Sequence, residues 1–136
     1  MVHSGGCHCG GVRYRVGGTL RPVQNCHCEP CRRITGHHMA ATATSEDELD
    51  VDADHTLTWY LAAPGTRYGF CGRCGATLFW RVDDRPDHVS IAAGTLDPPT
   101  GLHTDSALFV AEHGDYHARE PAVTEWPGDQ TSPPGG

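Results

Sequence analysis

The sequence predicts one mostly β domain of short strands and tight turns, relieved by one or two helical turns. Three observations carry that expectation. Glycine (17) and proline (10) make up about a fifth of the 136 residues, against an average of about 12%, so the chain is punctuated too often for a helical bundle. The most regular stretches alternate apolar and polar residues at period two rather than 3.6. Seven cysteines fall in three clusters, too many and too grouped for ordinary packing. A chain of this length buries roughly two-thirds of the surface it exposes unfolded, so a single hydrophobic core is possible.

Taken in order, Val12–Val16 reads Val-Arg-Tyr-Arg-Val, a half-buried strand ended by Gly17-Gly18. Val23 begins an extended approach to Cys26. Pro30 suits a first helical position and Gly36 a helix end, which predicts a short helix over Glu29–Thr35. His37–Thr44 is read as a strand. Ser45-Glu-Asp-Glu48 has the capping-box form, and the Asp-rich stretch after it is expected to hold a single turn. Further strands are expected at Leu57–Leu61, Tyr68–Phe70, Thr77–Val82 and Val89–Ala93, with turns at Pro64-Gly65 and Asp83–Asp87. Leu108–Val110 is a short apolar run of the same kind. The domain is expected to span 3–127, followed by a disordered tail, 128–136, that ends Thr-Ser-Pro-Pro-Gly-Gly from Thr131 onward with nothing to bury.

Charge narrows the partners. Ten basic residues, all arginine, stand against 17 acidic ones for a net −7, with no basic run; nucleic acid is not an expected partner. No apolar stretch reaches 18 residues, and Met1–Gly11 lacks the apolar core of a signal peptide. A cytoplasmic protein without membrane attachment is therefore expected. In that compartment an odd number of cysteines is poorly explained by disulfides, which leaves metal or redox chemistry.

The cysteines read Cys7-x-Cys9, Cys26-x-Cys28-x2-Cys31 and Cys71-x2-Cys74. Zinc takes thiolates tetrahedrally at about 2.3 Å. An extended Cys-x-Cys puts both side chains on one face; a Cys-x2-Cys on a turn converges its thiols by bending the backbone, here aided by Gly72 and Gly75. Seven divides as four plus three. Cys26, Cys28 and Cys31 need no distant partner, which leaves Cys7, Cys9, Cys71 and Cys74 as two pairs that complete one another. Spacing alone leaves another pairing open, Cys7 and Cys9 with two of the central three. A closed four-sulfur site is structural, whereas a three-thiol site with one open position has the form of catalytic zinc. The rival readings are weaker: the spacing is unlike ferredoxin runs, the βαβ context of a Cys-x2-Cys redox pair is missing, and three spaced clusters are not isolated buried thiols.

Gly6-Cys7-His8-Cys9-Gly10-Gly11-Val12-Arg13-Tyr14, Asn25-Cys26-His27-Cys28-Glu29-Pro30-Cys31-Arg32-Arg33-Ile34-Thr35-Gly36 and Phe70-Cys71-Gly72-Arg73-Cys74-Gly75-Ala76-Thr77-Leu78 resemble the glutathione-dependent formaldehyde-activating enzyme family, which includes the centromere protein V domain. Asp84-Arg85-Pro86-Asp87 and Ala93-Gly94-Thr95-Leu96-Asp97 extend the match. The resemblance implies a small Mss4-like (β-tent) fold stapled by zinc, with two zinc ions per chain. It implies a structural ion held by Cys7, Cys9, Cys71 and Cys74 and a catalytic one at Cys26, Cys28 and Cys31. The family's named activity is condensation of formaldehyde with glutathione to S-(hydroxymethyl)glutathione. This chain departs from the family late: Ser106-Ala107 and Tyr116 stand where members often have a His-Ile-like pair and then a Trp.

A zinc ion carrying three thiolates is a weak Lewis acid, so activation of an incoming thiol suits it better than activation of water. Arg32 and Arg33, directly after Cys31, are candidates to meet a substrate carboxylate; His37 and His38 are candidates for proton transfer or substrate contact. His8 and His27 lie between ligands and are expected to point away from the metal, either toward groups behind the ligands or toward solvent, and Arg73 to offset the charge of the four-sulfur site. Trp59, Trp80, Phe79 and Phe70 are expected in the core, and the histidines look scattered. The resulting expectation is a zinc-dependent carbon–sulfur lyase acting on the adduct of an aldehyde and a small-molecule thiol such as glutathione. The alternative is a non-enzymatic zinc-containing thiol carrier or binding module. No feature of the sequence specifies an oligomer.

Overall fold

Alternation at period two dictates most of the local structure. The computed structural model describes residues 2–130; the stretch from Thr131 onward, read as tail, lies outside the described residues. In chain order the strands are β1 (His3–Gly6), β2 (Val12–Val16), β3 (Val23–Cys26), β4 (Met39–Ser45), β5 (Leu49–Asp54), β6 (Leu57–Ala63), β7 (Thr66–Cys71), β8 (Thr77–Val82), β9 (His88–Ala92), β10 (Thr104–Leu108) and β11 (Thr124–Glu125), with one α-helix, α1 (Glu29–Thr35), after β3. The chain is mostly β with short helical turns, as expected. Its contacts separate into two units, one of residues 2–21 and 42–101, the other of 22–41 and 102–130.

In the first unit β1, β2 and β5 form a three-stranded antiparallel sheet, and β9-β8-β7-β6 form an antiparallel meander. Val12, Tyr14 and Val16 are fully buried and face a core of Leu78, Phe79, Val89 and Ile91. Arg13 and Arg15 point outward to Asp97 and Asp52 at 2.6 and 2.9 Å. The Tyr14 ring meets Phe79 edge-on at 5.3 Å. Its hydroxyl lies 2.8 Å from Thr95 Oγ1, and burial pushes the phenol up to about 12. Of the aromatics expected in the core, Phe79 is fully buried while Trp59, Trp80 and Phe70 are half-buried. Trp59 stacks on Phe79, and the Arg81 guanidinium covers it at 4.7 Å.

Two expectations are corrected in this unit. The turn after Ser45 is a 3₁₀ turn, Glu46–Glu48, but Ser45 makes no side-chain capping bond. The Asp-rich stretch beyond it is not a mere turn; it is β5. Leu49, Val51 and Ala53 are half-buried and alternate with exposed Asp50, Asp52 and Asp54. Aspartate disfavours strands, yet on this face it costs little, because it stays in water and Asp52 finds Arg15. β1, with no apolar alternation of its own, is specified by its ladder to β2.

In the second unit β3 pairs antiparallel with β4 and parallel with β10, which pairs parallel with β11. α1 keeps its expected bounds, with Pro30 in its first turn and the Gly36 N–H donating to Arg32 O at 2.8 Å. β4 begins later than expected, leaving His37 and His38 ahead of the strand. The apolar run Leu108–Val110 is not a strand: β10 ends at Leu108, Phe109 turns left-handed at φ 55° and Val110–Glu112 forms a 3₁₀ turn. The backbone there bonds elsewhere, Phe109 N–H to Gly128 O and Val110 N–H to Trp126 O. Among the described residues no helix is long and apolar enough to cross a membrane.

This core supports a graded prediction. Phe79→Ala empties a fully buried aromatic site and should cost about 3–5 kcal/mol in chemical denaturation. Tyr14→Phe removes only the bond to Thr95 and should cost about 1 kcal/mol.

Candidate functional site

Each unit gathers one group of cysteine sulfurs. In the first, the β1–β2 connection holds Cys7 and Cys9, while Cys71 ends β7 and Cys74 lies in the β7–β8 connection. Both are tight turns closed by the glycine that follows the second cysteine. The Gly10 N–H donates to Cys7 O and the Gly75 N–H to Cys71 O, at 3.4 and 2.8 Å. Both glycines are left-handed, φ +84° and +82°, where a side chain would be strained. The expected extended Cys7-x-Cys9 is therefore corrected: a turn, not strand alternation, brings its sulfurs together.

The sulfurs of Cys7, Cys9, Cys71 and Cys74 all lie within 4.8 Å of one another. Cys7–Cys9 is 3.6 Å and Cys9–Cys71 is 3.5 Å. These are not disulfides. A zinc tetrahedron with Zn–S bonds of about 2.3 Å has S···S edges of about 3.8 Å, which the two shortest separations approach. Donors already surround the sulfurs. Val12 N–H reaches Cys7 at 3.2 Å, and Arg73 and Cys74 N–H reach Cys71 at 3.4 and 3.3 Å. Arg73 Nε donates to Cys9 at 3.3 Å and thereby offsets negative charge as expected. The Thr56 hydroxyl, 3.1 Å away, draws the Cys71 thiol down to about 5. Backbone N–H of Gly11 and then Arg73 draw Cys9 down, whereas burial raises Cys7.

In the second unit Cys26 ends β3, Cys28 is the N-cap of α1 and Cys31 lies in its first turn. Their three sulfurs also lie within 4.8 Å of one another, and among the described residues no fourth histidine, cysteine or carboxylate atom joins the set. Hydrogen bonds from Cys26 and Cys31 hold the Cys28 thiol far below its ordinary value, and the same sharing pushes Cys26 up. The grouping is four and three. Cys7 and Cys9 lie with Cys71 and Cys74, not with the central cysteines.

The residues expected to touch substrate are placed as follows. Arg33 spends its guanidinium on Glu29 at 3.1 Å in an exposed pair one helical turn apart. The Nε of Arg32 is buried without a hydrogen-bond partner. His37 is exposed, its Nε2 3.0 Å from His117 Nδ1. His38 is half-buried with an unpartnered Nδ1. The histidines are not scattered in space: His27, His37, His38, His113 and His117 form one cluster. His27 is fully buried rather than turned to solvent. Burial, then the neighbouring imidazoles, lower it to about 4 and also lower His38 and His117. Positions spread from 27 to 117 carry no sequence signal for this gathering.

This is a small β protein with two groups of converging cysteine sulfurs, each of which could coordinate a metal ion. The sequence pattern described as glutathione-dependent formaldehyde-activating enzyme matches residues 2–112. A curated protein of Halomonas elongata, assigned by name to the glutathione-dependent formaldehyde-activating enzymes, is 35% identical over 118 residues, covering 76% of this chain and 74% of its own. A crystal structure of a Rhodobacter sphaeroides protein superposes with a TM-score of 0.60 at 26% identity, covering 70% of this chain and 88% of that one. The chain belongs to the glutathione-dependent formaldehyde-activating enzyme family.

All seven cysteines are free. Protein purified without reductant, then denatured with a chelator, should titrate seven thiols per chain; five would reveal a disulfide that this arrangement does not contain.

Proposed function

We propose that the chain is a zinc-dependent carbon–sulfur lyase that handles the adduct of a small thiol with an aldehyde, as in formation of S-(hydroxymethyl)glutathione. The observation that carries this reading is the set Cys26, Cys28 and Cys31: three converging sulfurs with no fourth protein ligand among the described residues. Cys7, Cys9, Cys71 and Cys74 would hold a structural zinc ion, stapling the sheets in the Mss4-like manner that the family implies. The open group would hold the second. When bound there, zinc supplies a thiophilic centre that favours the ionised form of a small-molecule thiol.

The protein's own part is positioning. The unpartnered Nε–H of Arg32 would meet a carboxylate of the thiol substrate in a charge-assisted bond. Arg33, held only by an exposed pair worth little in water, is free to supply a second contact. In the addition, the sulfur forms a bond to the carbonyl carbon while the carbonyl oxygen takes up the proton lost by the thiol. His37, exposed and bonded to His117, would carry that proton; His38 would line the substrate side. A reducing compartment such as the cytoplasm suits seven free thiols.

Elemental analysis of fresh protein should approach two zinc per chain. Cys71→Ser breaks a group that joins turns 62 residues apart and should lower stability and solubility sharply. Cys28→Ser should leave melting nearly intact while abolishing thiol binding. Equal destabilisation by both would mean the two groups have been given the wrong roles.

Substrate capture is checked by calorimetry and zinc-edge absorption with a panel of thiols, and turnover by NMR exchange between thiol, formaldehyde and adduct. Arg32→Ala should weaken a carboxylate-bearing thiol by about 1–3 kcal/mol more than a neutral one. Accelerated exchange supports the lyase; saturable binding without it identifies a carrier. Absence of binding with both ions present overturns the reading.

A further inference from the structure

We propose that His27, His38 and His117 form a separate all-imidazole site for a divalent late first-row transition ion, nickel being the example. This inference does not depend on the lyase reading. The three residues offer ring nitrogens within 4.8 Å of one another and share no member with the three-sulfur group. The ring centroids of His27 lie 4.4 Å from His117 and 4.9 Å from His38. A tetrahedral ion with metal–nitrogen bonds of about 2.1 Å spans nitrogens about 3.4 Å apart, a contraction that small side-chain rotations supply.

A second observation points to a missing ligand. His27 is 0% exposed, yet neither of its ring nitrogens has a hydrogen-bond partner, and the buried Nδ1 of His38 has none either. A buried polar atom left unpaired is costly, and an ion taking one lone pair from each ring satisfies one of the two His27 nitrogens and so reduces that cost. A cavity of about 10 Å³ borders His27 and His117, though not His38, and is also lined by Asn25, Glu120 and Glu125. Glu125 is paired with Arg119, so Glu120 is the carboxylate placed to balance the ion's charge.

A ligand imidazole characteristically uses its second nitrogen in a hydrogen bond that orients the ring. His117 has such a bond already, Nδ1 to His37 Nε2 at 3.0 Å. His113 stands farther off, its ring 6.4 Å from that of His27. Three neutral imidazoles suit nickel, copper or zinc, whereas the softer thiolate groups compete for zinc and copper(I). Nickel is therefore the discriminating probe.

The test uses untagged full-length protein already loaded with zinc. After nickel addition and desalting, metal analysis should find one nickel per chain. Nickel-edge absorption should show nitrogen and oxygen ligands without sulfur, and no thiolate-to-nickel charge-transfer band should appear. His38→Gln and His117→Gln should each weaken nickel binding at least tenfold while zinc content stays unchanged; His103→Gln, outside the cluster, should not. Sulfur in the nickel shell, nickel retained by both cluster variants, or none retained by the unsubstituted protein would overturn the proposal. The ligand spectrum of the unsubstituted protein decides the matter even if a variant folds poorly.

Discussion

Four sulfurs drawn within 4.8 Å of one another are the constraint around which the first unit is arranged. Close thiolates repel, and close thiols form only weak hydrogen bonds, so such a group persists only where charge and geometry are supplied together. Here two glycine-closed turns supply the geometry, and backbone N–H groups, Thr56 and Arg73 supply the charge compensation. The strands that flank these turns are thereby tied at their ends. Tyr14, Leu78 and Phe79 are buried between the same strands. Core packing and sulfur convergence thus act on the same elements.

The second unit applies the same chemistry to a different end. Its three sulfurs come from a strand end, a helix N-cap and the helix itself, all within residues 26–31. So compact a source leaves one side of the group without a protein ligand among the described residues. The neighbouring polar groups are also less satisfied. Arg32 Nε, both nitrogens of His27 and Nδ1 of His38 are buried without partners. Unpaired polar groups of this kind are retained where a ligand completes them. The difference between the units is one of satisfaction: donors saturate the first group, and the surroundings of the second are left wanting.

Much of this was legible in one dimension. Val12–Val16 and Glu29–Thr35 carry their structure in alternation and in Pro30 and Gly36, and both appear with the expected bounds. The pattern of β5 was equally present, but the low strand propensity of aspartate masked it until its exposed face and the Arg15–Asp52 pair were seen. The strand read through Leu108–Val110 failed for the opposite reason. Three apolar residues imply burial, and only backbone bonds to residues near 126–128 show that the chain turns there.

Cysteine spacing alone determined that metal-type clusters exist, because ligand sets within a few residues are local geometry. It could not choose between pairings of clusters 62 residues apart, since spacing carries no information about which distant turns meet. That choice came from the packing of two separate sheets, which sets Cys9 in the β1–β2 turn 3.5 Å from Cys71 at the end of β7. The histidine cluster lies wholly beyond sequence reading. His27, His38 and His117 sit on a strand exit, a strand approach and a late loop, and none has a local pattern that requires the others. The antiparallel pairing of β3 with β4 sets His38 beside His27, and the parallel pairing of β3 with β10 and the return of the chain after it bring His117 to them, because side-chain proximity across such separations is a property of the folded backbone.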